Sequence, residues 1–221
     1  MNQLLNDDLI QQIRDVFADL RNPVQIMYFG GDHDCAYCEE TRQLVEELAA
    51  ISEHITLTIH DITVDQDLAK LYNVDKAPGL VIAAREGDQI TDFGVRLSGI
   101  PSGHEFTSLI QDIVMVSHRD SGLNPQTRDF LKSLDKPVTL QVFVTPTCPY
   151  CPRAVVLAHQ MALESPMVQA EMVEATEFPD LSTRHRVSGV PHTVVNDGKG
   201  NVVGAVPETN LMAEIQRALS A

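Results

Sequence analysis

Four cysteines stand in this sequence, and they stand in pairs: Cys35-Ala36-Tyr37-Cys38 and Cys148-Pro149-Tyr150-Cys151. Two thiols three residues apart at the start of a helix have their sulfurs within disulfide reach. The first lies where backbone N–H groups and the helix dipole favour a thiolate. Such a thiolate attacks a disulfide, and the second thiol then displaces the mixed disulfide, leaving an oxidised pair. Run backwards, the same steps oxidise a dithiol. Tyr37 and Tyr150, inside the loops, are expected to shape the surface around the sulfurs rather than to move protons.

The pairs belong to an internal repeat. Cys148 follows Cys35 by 148 − 35 = 113 residues, and Pro78 and Pro191 each lie 43 residues beyond their cysteine. Upstream, Pro23-Val24-Gln25-Ile26-Met27-Tyr28-Phe29 matches Pro137-Val138-Thr139-Leu140-Gln141-Val142-Phe143 at an offset of 114. A duplicated unit changes every later assignment, so it sets the frame for the elements.

Each half reads strand, helix, strand, helix, strand, strand, helix. In the first, Val24 to Phe29 is an apolar strand leading into the cysteines. A helix from about Tyr37 to Ile51 carries Leu44, Val45, Leu48 and Ile51 at helical spacing. The alternating Ile55-Thr56-Leu57-Thr58-Ile59 predicts a second strand, Asp65 to Tyr72 a short helix, Leu80 to Ala84 and Gln89 to Phe93 a hairpin, and Phe106 to Val116 the closing helix. The second half runs through Val138 to Val144, a helix from Tyr150 to Met161, Val168 to Val173, a short helix near Leu181, a hairpin turning at Asp197-Gly198-Lys199-Gly200 and a helix from about Glu208. Ser117 to Pro125 looks like the joint, followed by a linking helix that mirrors one at Leu9 to Leu20. The expected units are 1–120 and 121–221, each an α/β unit with a central mixed four-stranded sheet flanked by helices.

The two sites differ in charge. Asp32-His33-Asp34 precedes Cys35 and Glu39-Glu40 follows Cys38, whereas Thr145-Pro146-Thr147 and Pro152-Arg153 flank the second pair. Nearby carboxylates oppose a thiolate, so Cys148 is expected to have the lower pKa and to react faster at neutral pH.

Composition narrows the setting. Thirty-one acidic against sixteen basic residues give a formal charge of −15, which disfavours nucleic acid as a partner because phosphate must be neutralised by Lys and Arg. The amino terminus lacks the basic flank and apolar core of a signal peptide, and no stretch is apolar enough to span a membrane, so a cytoplasmic location is expected. In a reducing cytosol, paired cysteines point to catalysis or metal binding rather than to structural cross-links.

With these residues assembled, the chain resembles the tandem thioredoxin-fold protein disulfide oxidoreductases, the glutaredoxin-like proteins of many archaea and some bacteria. They share this length, two Cys-x-x-Cys pairs and a Cys-Pro-Tyr-Cys in the carboxy-terminal unit. The resemblance implies Cys35 and Cys148 as nucleophiles, Cys38 and Cys151 as resolving thiols, and Pro78 and Pro191 as cis prolines facing the sulfurs. Ala77 and Val190 would then offer backbone groups to an extended substrate. It implies disulfide-containing protein substrates that are reduced, and also formed or isomerised. Electrons would come from a thioredoxin-reductase-like flavoenzyme using NADPH, with no bound cofactor and no metal. The chain departs from thioredoxin itself in having no Trp before either pair and no buried acid in the strands that precede them, so the group that handles the second thiol's proton is unassigned. Asp61 and Glu174, at matching ends of the second strands, read as caps or turn formers.

Three alternatives accompany this reading. One is an electron-relay module to a peroxidase, like the amino-terminal domain of the alkyl hydroperoxide reductase flavoprotein, which keeps only one cysteine pair. The second is a zinc protein in which the four thiolates converge, with His33 nearby. The third is iron-sulfur or glutathione binding at the Cys148 site.

Overall fold

The computed structural model describes residues 3–31 and 35–220. Asp32-His33-Asp34, the acidic approach to Cys35, therefore lies outside the described residues. Two apolar runs set the architecture. Val24–Gly30 (β1) is buried at every position, and Val138–Val144 (β5) is buried at all but two. Strands covered on both faces read as near-continuous apolar stretches because helices pack above and below.

Around β1 the chain adds α1 (Asp7–Phe17), α2 (Cys38–Ala49), β2 (Ile55–Asp61), α3 (Gln66–Leu71), β3 (Gly79–Glu86), β4 (Gln89–Ser98) and α4 (Glu105–His118). Around β5 it adds α5 (Pro125–Lys132), α6 (Cys151–Glu164), β6 (Val168–Glu174), α7 (Pro179–Arg184), β7 (His192–Val195), β8 (Gly200–Val203) and α8 (Glu208–Ser220). The 113-residue offset of the cysteines relates the starts of α2 and α6, β2 and β6, α3 and α7, and β3 and β7. The helices that open the halves begin alike. Asn6 accepts from the Leu9 amide and Asn124 from the Thr127 amide, each at 2.9 Å.

The two halves share one eight-stranded sheet, ordered β2-β1-β3-β4-β6-β5-β7-β8. The expected pair of four-stranded sheets is thus fused along β4 and β6, which run parallel with Val95 opposite Ala170 and Ser98 opposite Val173. Sequence patterning ends β4 at Phe93, but the strand runs five residues further, to Ser98, and that extension is the seam. Gly94 disguises it as a break: its φ is +81°, and a Cβ there would strike the Val168 carbonyl of β6. Glycine is what lets the two strands meet.

One face of the sheet carries a single core crossing the seam, in which Val95, Leu97, Leu109, Ile113 and Val116 of the first half join Leu140, Val155, Ala158 and Met172 of the second. The other face has a separate small core in each half, Met27, Phe29 and Val81 in one and Phe143, Val173 and Val194 in the other. Between these smaller cores the seam is polar: Glu171 accepts from Ser98 Oγ (2.5 Å) and Gln141 Nε2 (2.9 Å) and pairs with Lys76 (2.9 Å). A cleft of about 650 Å³ lies there.

The outer strands are β2 and β8. At β8, Glu214 Oε1 accepts from the Asn201 amide at 2.6 Å, and in the turn just before the strand Arg217 Nη2 donates to the Lys199 carbonyl at 3.0 Å, both reaching over from α8. No helix among the described residues is long and apolar enough to cross a membrane.

Candidate active site

Strand directions decide where the cysteines go. β3 runs antiparallel to β1 and to β4, and β6 runs parallel to β4 and to β5. β1 and β5 therefore point the same way, and both cysteine pairs emerge on one rim of the sheet. Four strand spacings of about 4.8 Å separate β1 from β5, which sets the pairs roughly 19 Å apart. Four thiolates at that separation cannot share one ion, which removes the four-cysteine zinc site. Among the described residues, no group of three or more His, Cys, Asp or Glu side chains gathers as a metal site.

Each pair forms a disulfide, with Cα atoms 5.4 Å apart for Cys35–Cys38 and 5.5 Å for Cys148–Cys151. Cys38 and Cys151 are the first residues of α2 and α6, so the earlier cysteine in each pair sits just ahead of the helix amino terminus. Cys35 is half-buried and Cys148 is 8% exposed, while both helical cysteines are buried. Tyr37 and Tyr150 stand out from the surface, 44% and 64% exposed. Glu39 and Glu40 occupy the first turn of α2, and the first turn of α6 has no acid.

Each proline lies across from the end of the strand that leads to its cysteines. Gly79 pairs with Phe29 and His192 with Phe143, so Pro78 and Pro191 sit one residue nearer the rim. Both Ala77–Pro78 and Val190–Pro191 are cis. The proline carbonyls are held alike, Pro78 by the Gly99 amide (2.9 Å) and Pro191 by the Gly204 amide (2.8 Å). Ala77 and Val190 are half-buried beside them.

Asp61 and Glu174 form turns. Asp61 Oδ1 accepts from the Thr63 and Val64 amides, and Glu174 Oε2 accepts from Thr176 Oγ1 and the Glu177 amide.

Four side chains that sequence patterning passes over complete the picture. Tyr28, on β1, donates its hydroxyl to the Cys38 carbonyl at 2.7 Å, and burial pushes its phenol up to about 12. Gly30 leaves room for that ring, because a Cβ there would collide with it. The corresponding residues of the second half are Val142 and Val144, which offer no such anchor.

The other three, Glu105, Asp112 and His159, lie on α4 and on α6, the helix that Cys151 opens. Gly103, at φ +59°, packs its backbone against Pro146, and the His104 amide donates to the Pro146 carbonyl at 2.9 Å. The start of α4 therefore abuts the loop that enters Cys148. Glu105, the first residue of α4, is 1% exposed. Its Oε2 accepts from Ser108 Oγ at 2.6 Å, its Oε1 has no partner among the described residues, and burial raises its carboxyl to about 7. Behind it, Asp112 of α4 meets His159 of α6 at 2.8 Å, both fully buried. The signal was present in α4, where Glu105, Ser108 and Asp112 share the helical stripe of Leu109, Ile113 and Val116. Acids on a core-facing stripe ask for partners.

Comparison with known proteins agrees with this geometry. Residues 138–217 match the family described as the thioredoxin domain. A protein disulfide oxidoreductase from Aeropyrum pernix superimposes with a TM-score of 0.88 at 30% identity, covering 96% of this chain and 92% of that one. The alkylhydroperoxide reductase AhpF of Enterococcus faecalis aligns with a TM-score of 0.87 at 28% identity over 96% of this chain and all of that one. The corresponding alkyl hydroperoxide reductase component of Staphylococcus epidermidis is 29% identical over 196 residues, which is 89% of this chain. The chain spans only 34% of that relative's length.

Proposed function

The chain belongs to the tandem thioredoxin-fold protein disulfide oxidoreductases, and from that membership we propose how its two sites act as a thiol-disulfide oxidoreductase on proteins. The observation that carries the proposal is the duplicated constellation: a buried strand, a cysteine pair opening a helix and a proline across from it, twice on one rim.

In each reduced site the leading cysteine, Cys35 or Cys148, attacks a substrate disulfide as a thiolate. One substrate sulfur leaves with the electron pair and is protonated. Cys38 or Cys151 then attacks the leading sulfur, breaks the mixed disulfide and releases the second substrate thiol. Two electrons pass to the substrate, and the site is left oxidised. Cys151 is buried and must lose its proton to attack, and Glu105 is the acceptor we assign, a buried carboxylate poised near neutrality beside the loop into Cys148. Ala77 and Val190 present backbone to an extended substrate, and Tyr37 and Tyr150 flank it with exposed ring surface. The units we assign are 1–120 and 121–221, in the cytoplasm, re-reduced by a thioredoxin-reductase-like flavoenzyme that draws on NADPH.

Reduction of insulin disulfides by dithiothreitol tests the reading. Wild type accelerates the reaction, and loss falls mainly on the Cys148→Ser/Cys151→Ser double rather than on Cys35→Ser/Cys38→Ser. The likeness to the alkyl hydroperoxide reductases supports a second reading, a relay that passes electrons to a peroxidase. No acceleration over dithiothreitol alone would favour that relay.

A further inference from the structure

Ionisable groups buried without partners are costly, so a cluster of them in a core asks for a role. The shared core holds one at the seam. His159 of α6 meets Asp112 Oδ2 through Nδ1 at 2.8 Å, and its Nε2 lies 3.0 Å from the Arg96 carbonyl of β4. A carbonyl only accepts, so Nε2 carries a proton and the remaining proton is shared between Nδ1 and the carboxylate. One imidazole thereby ties α6 of the second half to both α4 and β4 of the first. His159 lies two turns along α6 from Cys151, and Glu105 lies two turns back along α4 from Asp112.

We infer that Asp112 and His159 are a positioning pair for the second redox site, holding α6 against the first half and setting the charge beside Glu105, so that the first half tunes the Cys148–Cys151 disulfide. This rests on the dithiol-exchange reading, with Glu105 as the proton acceptor. When Cys151 resolves a mixed disulfide, its proton passes to the Glu105 carboxylate, its sulfur bonds to Cys148, and the substrate sulfur departs with the electron pair and takes a proton from solvent. An imidazolium at His159 favours the ionised Glu105, and the Asp112 carboxylate opposes it more weakly.

Two other charged groups stand near this site: Glu177, which accepts from the Ile100 amide ahead of α4 and is itself raised to about 7 by burial, and Arg153, exposed on the first turn of α6; the rest are engaged elsewhere. The Arg96 guanidinium binds Asp92 and the Tyr72 carbonyl, Glu171 binds Lys76 on the opposite face, and Arg128 and Lys132 of α5 pair with Glu164 at the far end of α6. Tyr28 of β1 is bonded to the Cys38 carbonyl, and His118 at the end of α4 pairs with Asp19. The shared core receives apolar Leu80 and Ile82 from β3, Leu140 and Val142 from β5, and Ala170 and Met172 from β6.

The test is the pH dependence of the reduction potential of the second disulfide. It is measured from pH 5 to 9 in dithiothreitol redox buffers by thiol labelling, in a Cys35→Ser/Cys38→Ser background. The parent shows a change of slope near pH 7, and Glu105→Gln abolishes it. His159→Gln moves the change of slope toward alkaline pH by about one pH unit, as expected on losing an opposite charge nearby. Asp112→Asn, which leaves the imidazole without its shared proton, moves it the same way by less. This second variant serves if His159→Gln does not fold. A folded variant whose change of slope stays where the parent's is, or a parent with none, overturns the proposal. Should the second disulfide fail to titrate at all in these buffers, the dithiol-exchange reading itself falls, a different outcome from either.

Discussion

At the scale of single residues, two sites built to one plan differ in charge and in support. The first turn of α2 carries two carboxylates where that of α6 has none, so iodoacetamide should alkylate reduced Cys148 faster than Cys35 at pH 7, by several-fold. Equal rates across a pH series would remove the asymmetry. Tyr28 supports only the first site. Tyr28→Phe should lower stability by about 1 kcal/mol in urea melts, the usual worth of one hydrogen bond to a buried carbonyl. Glu105 makes a pH-dependent contribution. Its carboxyl is raised from 4.5 to about 7, so the unfolded chain gives up that proton first as pH rises. Stability is therefore full below about 4.5 and falls as pH climbs toward 7, by about 3 kcal/mol. Glu105→Gln should be near neutral at pH 4.5 and should raise the melting temperature at pH 8; an equal change at both would refute the linkage. The cysteines and prolines were legible in the sequence because spacing within a repeat reveals them. Glu105, Asp112 and His159 were not, since Asp112 and His159 are 47 residues apart and meet only when two halves pack.

At the scale of elements, most helices and strands follow from apolar period and turn residues, and the repeat lets each half check the other. The extension of β4 does not, because a strand interrupted by Gly94 looks finished. What continues it is a neighbour, β6, contributed by another unit. Gly103 is the matching device at the head of α4, where the chain turns at positive φ against Pro146. Gly103→Ala places a methyl group against that backbone and should destabilise the protein by about 1–3 kcal/mol. The same change should alter the reactivity of Cys148 more than that of Cys35, read by alkylation rate, because the displaced loop leads only to the second pair.

Taken whole, the molecule has one sheet, one large core and two chemical stations on a common rim. Because β4 pairs with β6 and Leu109 and Ile113 pack with Val155 and Ala158, the halves should unfold together, in one transition seen alike by circular dichroism and by cysteine labelling. Two resolved transitions would show that the seam is weaker than its buried surface implies. The duplication was readable from the sequence, but the fusion was not, since a repeat reports how many units exist and is silent on how their edges meet. Those edges carry a further consequence. The seam joins the last strand of one unit to the second strand of the next, so the sheet's two outer strands, β2 and β8, are the same two kinds of edge, and a union of unlike edges has no built-in stopping point. Left bare, an edge such as β8 would invite a further strand to pair with it. Glu214 and Arg217 already take the Asn201 amide and the Lys199 carbonyl just ahead of it, two backbone groups that an added strand would otherwise use.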